Sequence, residues 1–148
     1  MTSQARTVLG TNMYVCASAP ATHDAAGFAA LTWTKIGEVT DGGTYGEKHN
    51  AVKHNPIDSG QTVKLKGSYD AGTQNIKVAQ ARADAGQAIL ITARSSYLPI
   101  SFKIVHQDGL IDYYSGLVMS YVTTLGTVDS VLNAAIDIEV TDDIIYGS

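Results

Sequence analysis

Residues 32–69 read T-W-T-K-I-G-E-V-T-D-G-G-T-Y-G-E-K-H-N-A-V-K-H-N-P-I-D-S-G-Q-T-V-K-L-K-G-S-Y, and the fold turns on how this stretch divides. Its two ends read as strands. Residues 33–39 alternate with imperfect parity, whereas 62–69 alternate cleanly, with Val63, Leu65, Gly67 and Tyr69 on one face and Lys64, Lys66 and Ser68 on the other. The middle, 41–60, is polar and Gly-rich and lacks any apolar period that would bury it locally. Connections of that length inside a compact domain are uncommon and tend to be functional or disordered. The stretch is therefore expected to be a long inter-strand loop, mobile in the free subunit, whose role is to touch another subunit.

Working outward, strands dominate. Residues 6–18 form an extended segment interrupted at 10–12, with Leu9, Met13, Val15 and Ala17 on its core face. Pro20 ends it, because proline has no N–H for a ladder. Asp24 can cap a short helical turn over 25–28. A turn at 70–73 leads into a strand over 75–79, with Ile76 and Val78 inward. The period then changes. Asp84 and Gln87 have capping-box spacing, and residues 85–93 are expected to be helical, although A-G-Q-A-I-L-I-T-A-R is apolar enough for a strand.

The remainder returns to β. Residues 98–107 put Ile100, Phe102 and Ile104 on one face, and Asp108-Gly109 is a hairpin signal. Residues 110–125 are apolar on both faces, with Leu117, Met119 and Tyr121 on one side and Val118 and Val122 on the other. The last strand, 128–140, places Ala134, Ile136, Ile138 and Val140 inward, and beyond it stand Ile144, Ile145 and Tyr146. About seven mostly antiparallel strands with one substantial helix make a β-sandwich or barrel with a flanking α-helix. All 148 residues fit a single domain.

Antiparallel strands in a small protein normally wet one face. The two-faced strand and the apolar tail break that rule, which points to association between copies; the alternative is that the helix and N-terminal arm cover the second face within one chain. The interface candidates are Leu117, Val118, Met119, Tyr121, Ile144, Ile145 and Tyr146.

Composition excludes several function classes. A formal net charge of −4 gives no footprint for gripping phosphates. The single Cys16 excludes an internal disulfide and a thiolate metal site, and in M-Y-V-C-A it reads as a small buried hydrophobe. The opening M-T-S-Q-A-R-T-V-L-G has no apolar h-region, so no signal peptide is expected, and no run reaches the ~20 apolar residues of a membrane helix. His49 and His54 in H-N-A-V-K-H do not make H-E-x-x-H, and neither a P-loop, a G-x-G-x-x-G nor a G-x-S-x-G elbow occurs. No enzyme, metal site or cofactor is expected.

An ordered set of segments carries a family resemblance. H-D-A-A-G-F-A-A-L-T-W-T-K-I-G-E-V-T-D-G-G-T-Y-G (23–46), H-N-P (54–56), V-K-L-K-G-S-Y-D-A-G-T (63–73) and R-A-D-A-G-Q (82–87) together resemble the major tail tube proteins of long-tailed, siphovirus-like bacteriophages. The resemblance spans most of the chain, roughly 23–139. It implies a β-sandwich or barrel with a flanking helix, related to the tube protein of type VI secretion systems. It also implies hexameric rings closed by sheet extension and stacked into a hollow tube that passes DNA. In that family a long loop between early strands reaches the adjacent ring, which assigns inter-ring contact to 41–60, with Asp41, Tyr45, Lys48, His49, Lys53, His54, Asn55 and Pro56 as its contact residues.

The acidic balance suits a channel that must not adsorb DNA. Glu38, Asp112, Asp137 and Glu139, outward by strand parity, are the lumen candidates; the alternative for each is a solvated outer-face charge. The implied partners are further copies of the chain and the tape-measure, tail-tip and terminator proteins, with DNA in passage and no membrane. Assembly is expected in the host cytoplasm, and the final location in the virion. A tail terminator or a secretion-type tube shares the fold, and a small β-barrel ligand carrier is the alternative from another class.

Overall fold

The computed structural model describes residue 3 and residues 5–147. Met1, Thr2, Gln4 and Ser148, at the ends of the expected single domain, lie outside the described residues. Where alternation is clean and a partner exists on both sides, the strand is central. β6 (Thr73–Ala79) buries Gln74, Ile76 and Val78 and exposes the residues between them. It pairs antiparallel with β9 (Asn133–Val140), which turns Ala134, Ile136, Ile138 and Val140 inward. β7 (Ile100–Val105) and β8 (Ile111–Thr124) are joined through Asp108-Gly109, with Gly109 in the left-handed region at φ 89°.

The expected strand over 33–39 is two strands. β2 (Thr34–Ile36) pairs with β1 (Asn12–Cys16), while β3 (Val39–Asp41) pairs with β6. Between them Glu38 adopts φ 60°, a left-handed conformation that costs a non-glycine residue and ends pairing on one neighbour. The consequence is global. The sheet runs β2-β1-β7-β8-β9-β6-β3, so consecutive strands stand at its two edges. Three Cα steps join Ile36 to Val39, which holds those edges within about 11 Å. The sheet must therefore curl on itself as a barrel.

α2 (Ala85–Ala93) packs against β1, β2 and β8. Asp84 Oδ2 accepts from the Gln87 amide at 3.0 Å, as an N-cap should. The reciprocal half of a capping box is absent, because the Gln87 side chain goes elsewhere. Fully buried, it accepts from Ala81 N–H at 2.9 Å and donates to the Gly37 and Ala79 carbonyls at 3.0 and 3.1 Å, tying the barrel seam to the helix. A Cβ on Gly86 would overlap the Lys35 carbonyl oxygen, so the helix sits directly on β2. α1 (Ala25–Ala29) is capped by Asp24, whose Oδ1 accepts from Gly27 N–H at 2.7 Å and whose carboxyl is held below its ordinary pKa chiefly by that bond.

Three expectations about the β strands are corrected. Leu9 and Ala17 are exposed, and only Met13 and Val15 of that face reach the core. The final long strand starts at Asn133 rather than 128. In β8 a bulge between Val118 and Ser120 sets two residues against one, so Tyr121 joins the inward face of Val118 and not the face of Leu117. Val118 and Ile144 belong to the chain's own core, which removes both from the surface candidates.

The first half of β8 is indeed covered on both faces within one chain. Tyr114 points inward, whereas Tyr113 is stacked on Phe28 of α1 at 5.4 Å and faces Trp33. β10 (Ile145–Gly147) pairs along the same half. Cys16 is buried, as its neighbours imply.

Candidate functional site

The stretch expected to be a loop is largely a β-ribbon. β4 (Lys48–His54) and β5 (Val63–Asp70) form their own two-stranded antiparallel sheet, and every residue of both strands except Gly67 is exposed. Only 42–47 and the tip, 55–62, lack strand structure. Sequence reasoning missed β4 because K-H-N-A-V-K-H has a single large aliphatic residue; its ladder comes from β5, not from a buried face.

Register gives the ribbon two unlike faces. Val52 stands opposite Leu65, His54 opposite Val63, and His49 opposite Tyr69. Cross-strand partners share a face, so Val52, Val63, Leu65 and Tyr69 form one apolar face edged by His49 and His54. The His49 and Tyr69 rings lie 4.8 Å apart. Gly67 is on this face too, and a side chain there would press on Val52 Cγ2 and the Asn50 carbonyl. Lys53 opposes Lys64 on the other face, with Lys66, and Lys48 pairs with Asp70. Four of the chain's ten basic residues thus sit on one side of the ribbon. Ile57, at the tip, is fully exposed.

The connector 42–47 is mounted on the barrel by polar bonds. The Tyr45 hydroxyl donates to Asp112 Oδ2, and the Tyr45 ring stacks on Tyr114 at 5.4 Å. His106 Nε2 lies 2.7 Å from the same Asp112 oxygen. Tyr114 in turn donates to Gln74 Oε1, and Gln74 Nε2 donates to the Gly42 carbonyl at 2.8 Å. Burial pushes both phenols well above the ordinary tyrosine range, with the Asp112 carboxylate adding to the effect on Tyr45. Gly43, at φ 67°, lies so close to Asn75 that a Cβ would overlap its carbonyl oxygen. At the ribbon base, Ile144 N–H donates to Glu47 Oε1 at 2.7 Å. Tyr69 is raised chiefly by a hydrogen bond to the Asp143 carboxylate.

Two of the expected roles change in this geometry. Tyr45 is a mounting residue rather than an outward contact, and Asp112 is a buried acceptor between two donors, not a wall charge. Asp41, Lys48, His49, Lys53, His54 and Asn55 are exposed, and Pro56 is half-buried. Asp137 and Glu139 share the outward face of β9, where Asn75 and Ser120 donate to Asp137 and Thr73 donates to Glu139 at 2.8 Å. Glu38 is exposed at the barrel seam. Of the association candidates, Met119 and Tyr146 are exposed and Leu117 and Ile145 half-buried, whereas Tyr121 packs on the core and donates to Gln87 Oε1 at 3.2 Å.

A second exposed apolar surface was not anticipated. The β8–β9 turn, 125–132, presents Leu125, Val128 and Val131, with Val128 at 96% exposure. The run V-D-S-V-L (128–132) resembles a strand by its valines, yet Ser130 N–H donates to the Thr127 carbonyl at 3.0 Å and holds it in a turn. Among the described residues no three His, Cys, Asp or Glu side chains are arranged to hold a metal ion.

No family model matches the sequence, and no curated protein matches it. Solved structures do. The chain is similar to a subunit of the anti-feeding prophage baseplate, 6-fold symmetrised, at TM-score 0.74 and 10% identity, with 99% of this chain and 97% of that one covered. It is similar to the SPP1 tail tube protein at TM-score 0.66 and 15% identity, covering 96% and 80%. This is a tail-tube-like fold. A sheath/tube terminator of the PVC extracellular contractile injection system shares it over the whole of both chains, at TM-score 0.67 and 12% identity. The fold is thus shared by a tail tube, a baseplate and a sheath/tube terminator, and the likeness does not single out a siphovirus tube.

Proposed function

We propose that the chain is the non-enzymatic structural subunit of a phage-type tail tube, its copies closing into hexameric rings that stack into a hollow conduit for DNA. The observation that carries this reading is the amphipathic ribbon: a barrel with a tail-tube-like fold extends 23 residues (48–70) that bury nothing of their own. An isolated two-stranded ribbon is marginal in water and needs a further surface, and the next ring supplies one. Six copies per ring is the symmetry of the baseplate relative.

Within a ring, the natural joint is the second half of β8. β7 pairs with β8 only from Ile111 to Gly116, and among the described residues no strand pairs that edge of 117–124. Such an edge invites a strand from a neighbour, with Leu117 and Met119 packing at the joint, whereas Ile145 and Tyr146, paired along the first half of β8, lie away from it. Asp137, Glu139 and Glu38 then line the lumen, where negative charge keeps DNA from adhering. The tape-measure, tail-tip and terminator proteins are the expected partners, and the virion tail, assembled in the host cytoplasm, the location.

Replacing 49–69 by a short Gly-Ser turn tests the stacking role. The variant should remain a folded barrel and form no tubes by negative-stain microscopy; tubes of normal length would overturn the assignment. Replacing Asp137 and Glu139 with Lys tests the lumen, since unchanged DNA delivery by normally assembled particles would remove them from the wall. A terminator ring is the second reading, favoured by full-length similarity to the PVC terminator; it would yield isolated rings from the wild-type chain. A ligand carrier is disfavoured because the interior is filled by Tyr114, Phe102, Ile76, Ile136 and Ile138, all fully buried.

A further inference from the structure

We infer that the apolar face of the ribbon is received, on a second copy of this chain, by the β8–β9 turn at the opposite end of the barrel. The inference rests on the stacking role proposed above and identifies the surface that the ribbon meets.

Position comes first. The ribbon leaves the barrel beside the end of β9, where Val140 N–H donates to the Gly72 carbonyl at 3.0 Å and Tyr69 and Asp70 border Val140 and Thr141. The turn 125–132 precedes the start of β9 at Asn133. The eight residues of β9 separate the two by roughly 23 Å at a strand's rise per residue. Both surfaces are exposed, so neither covers the other within one chain.

Chemistry comes second. Turns favour Gly, Pro, Asn, Asp and Ser, yet this one carries Leu125, Val128, Val131 and Leu132. A surface of that kind complements the Val52, Val63, Leu65 and Tyr69 face. Carboxylates also stand at this end of the barrel. The turn contributes Asp129, and Glu38 lies at the same end, its carbonyl accepting from Ala79 N–H at 2.8 Å. Lysine stems can reach around a ribbon edge to such carboxylates. The buried acceptor that lacks a partner among the described residues, Gln80 Oε1, belongs to the same end, where Gln80 N–H donates to the Leu132 carbonyl at 2.8 Å.

Geometry supplies the consequence. A contact between two different patches is heterologous, and patches at opposite ends of one body propagate along an axis instead of closing a pair.

The test mixes two otherwise wild-type chains, one carrying Leu65→Cys and the other Val128→Cys, under assembly conditions followed by mild oxidation. Cys16 is buried and stays silent. The disulfide-linked mixed dimer should exceed, by about tenfold, that from Leu65→Cys with the exposed control Tyr97→Cys, because docking raises the local thiol concentration. Equal yields would overturn the inference. Polymerisation separates it from the stacking role itself. Val128→Asp with Val131→Asp should abolish tubes while leaving the circular dichroism spectrum unchanged. Tubes from that variant would overturn the docking surface and leave stacking intact; absence of tubes from the wild type would overturn both. If the Asp pair disturbs folding, Val128→Ser with Val131→Ser should shorten tubes, and tubes of wild-type length would again count against the turn.

Discussion

β5 and β6 are neighbours in the chain and nearly alike in pattern, yet they end in opposite surroundings. β5 alternates Val63, Leu65, Gly67 and Tyr69 with polar residues; β6 alternates Gln74, Ile76 and Val78 with polar residues. The inward residues of β6 are fully buried, whereas Leu65 is 56% exposed. The difference lies in partners. β6 is flanked by β3 and β9 inside a curled sheet, and β5 has only β4. A period of two states that a strand has an apolar face; it does not state whether the covering surface belongs to the same molecule. In β6 that surface is internal, and in β5 we assign it to another copy.

The sharpest way to break this contrast is to truncate one side chain on each strand system. Phe102→Ala in β7, beside Tyr114 at 5.3 Å, should lower the stability of the subunit by about 3–5 kcal/mol in urea denaturation. A loss below 1 kcal/mol would mean that the barrel interior is not the source of stability. Next in size, Gln87→Ala should cost about 3 kcal/mol, because it strands the Ala81 amide and two carbonyls at the barrel seam. A neutral result would show that the seam does not need the helix.

A pH experiment bears on the mount of the ribbon. Tyr45 and Tyr114 both titrate above the ordinary value of 10.0 in the folded chain. The folded state therefore holds these protons more tightly than the unfolded one. Their stabilising effect is complete below pH 10 and declines as pH rises above it, by about 1.4 kcal/mol per pH unit for each tyrosine. Alkaline denaturation should begin there, and Tyr114→Phe should flatten the slope by one proton; an unchanged slope would remove Tyr114 from the effect. The smallest change belongs to the ribbon. Leu65→Ala should alter subunit stability by no more than about 0.5 kcal/mol, since the side chain is already in water. A loss comparable with that of Phe102→Ala would place β5 in the core after all.

Much of the architecture was legible in the chain. The helix over 85–93, the short capped helix after Asp24 and the turn at Asp108-Gly109 stand where local signals put them. Those signals act over three or four residues and need no distant partner. The ordered set of segments from His23 to Gln87 led to the tail-tube-like fold that the solved relatives share. What could not be read depended on distant contacts. The bulge in β8 reverses the face of Tyr121, a displacement that parity counting cannot anticipate. The seam at Glu38 divides one apparent strand between two edges of a sheet. β4 has almost no apolar pattern and exists because β5 lies beside it.

The sequence by itself determined that this is an antiparallel β protein with one substantial helix and an arm too polar to bury itself, because alternation, capping and turn chemistry are local. Only the tertiary structure decided that Val118 and Ile144 are core, that Tyr45 and Asp112 mount the arm, and that the arm is an amphipathic ribbon with an apolar turn at the far end of β9. Burial depends on what the rest of the chain brings to each face, and neither strand parity nor side-chain type specifies that covering surface.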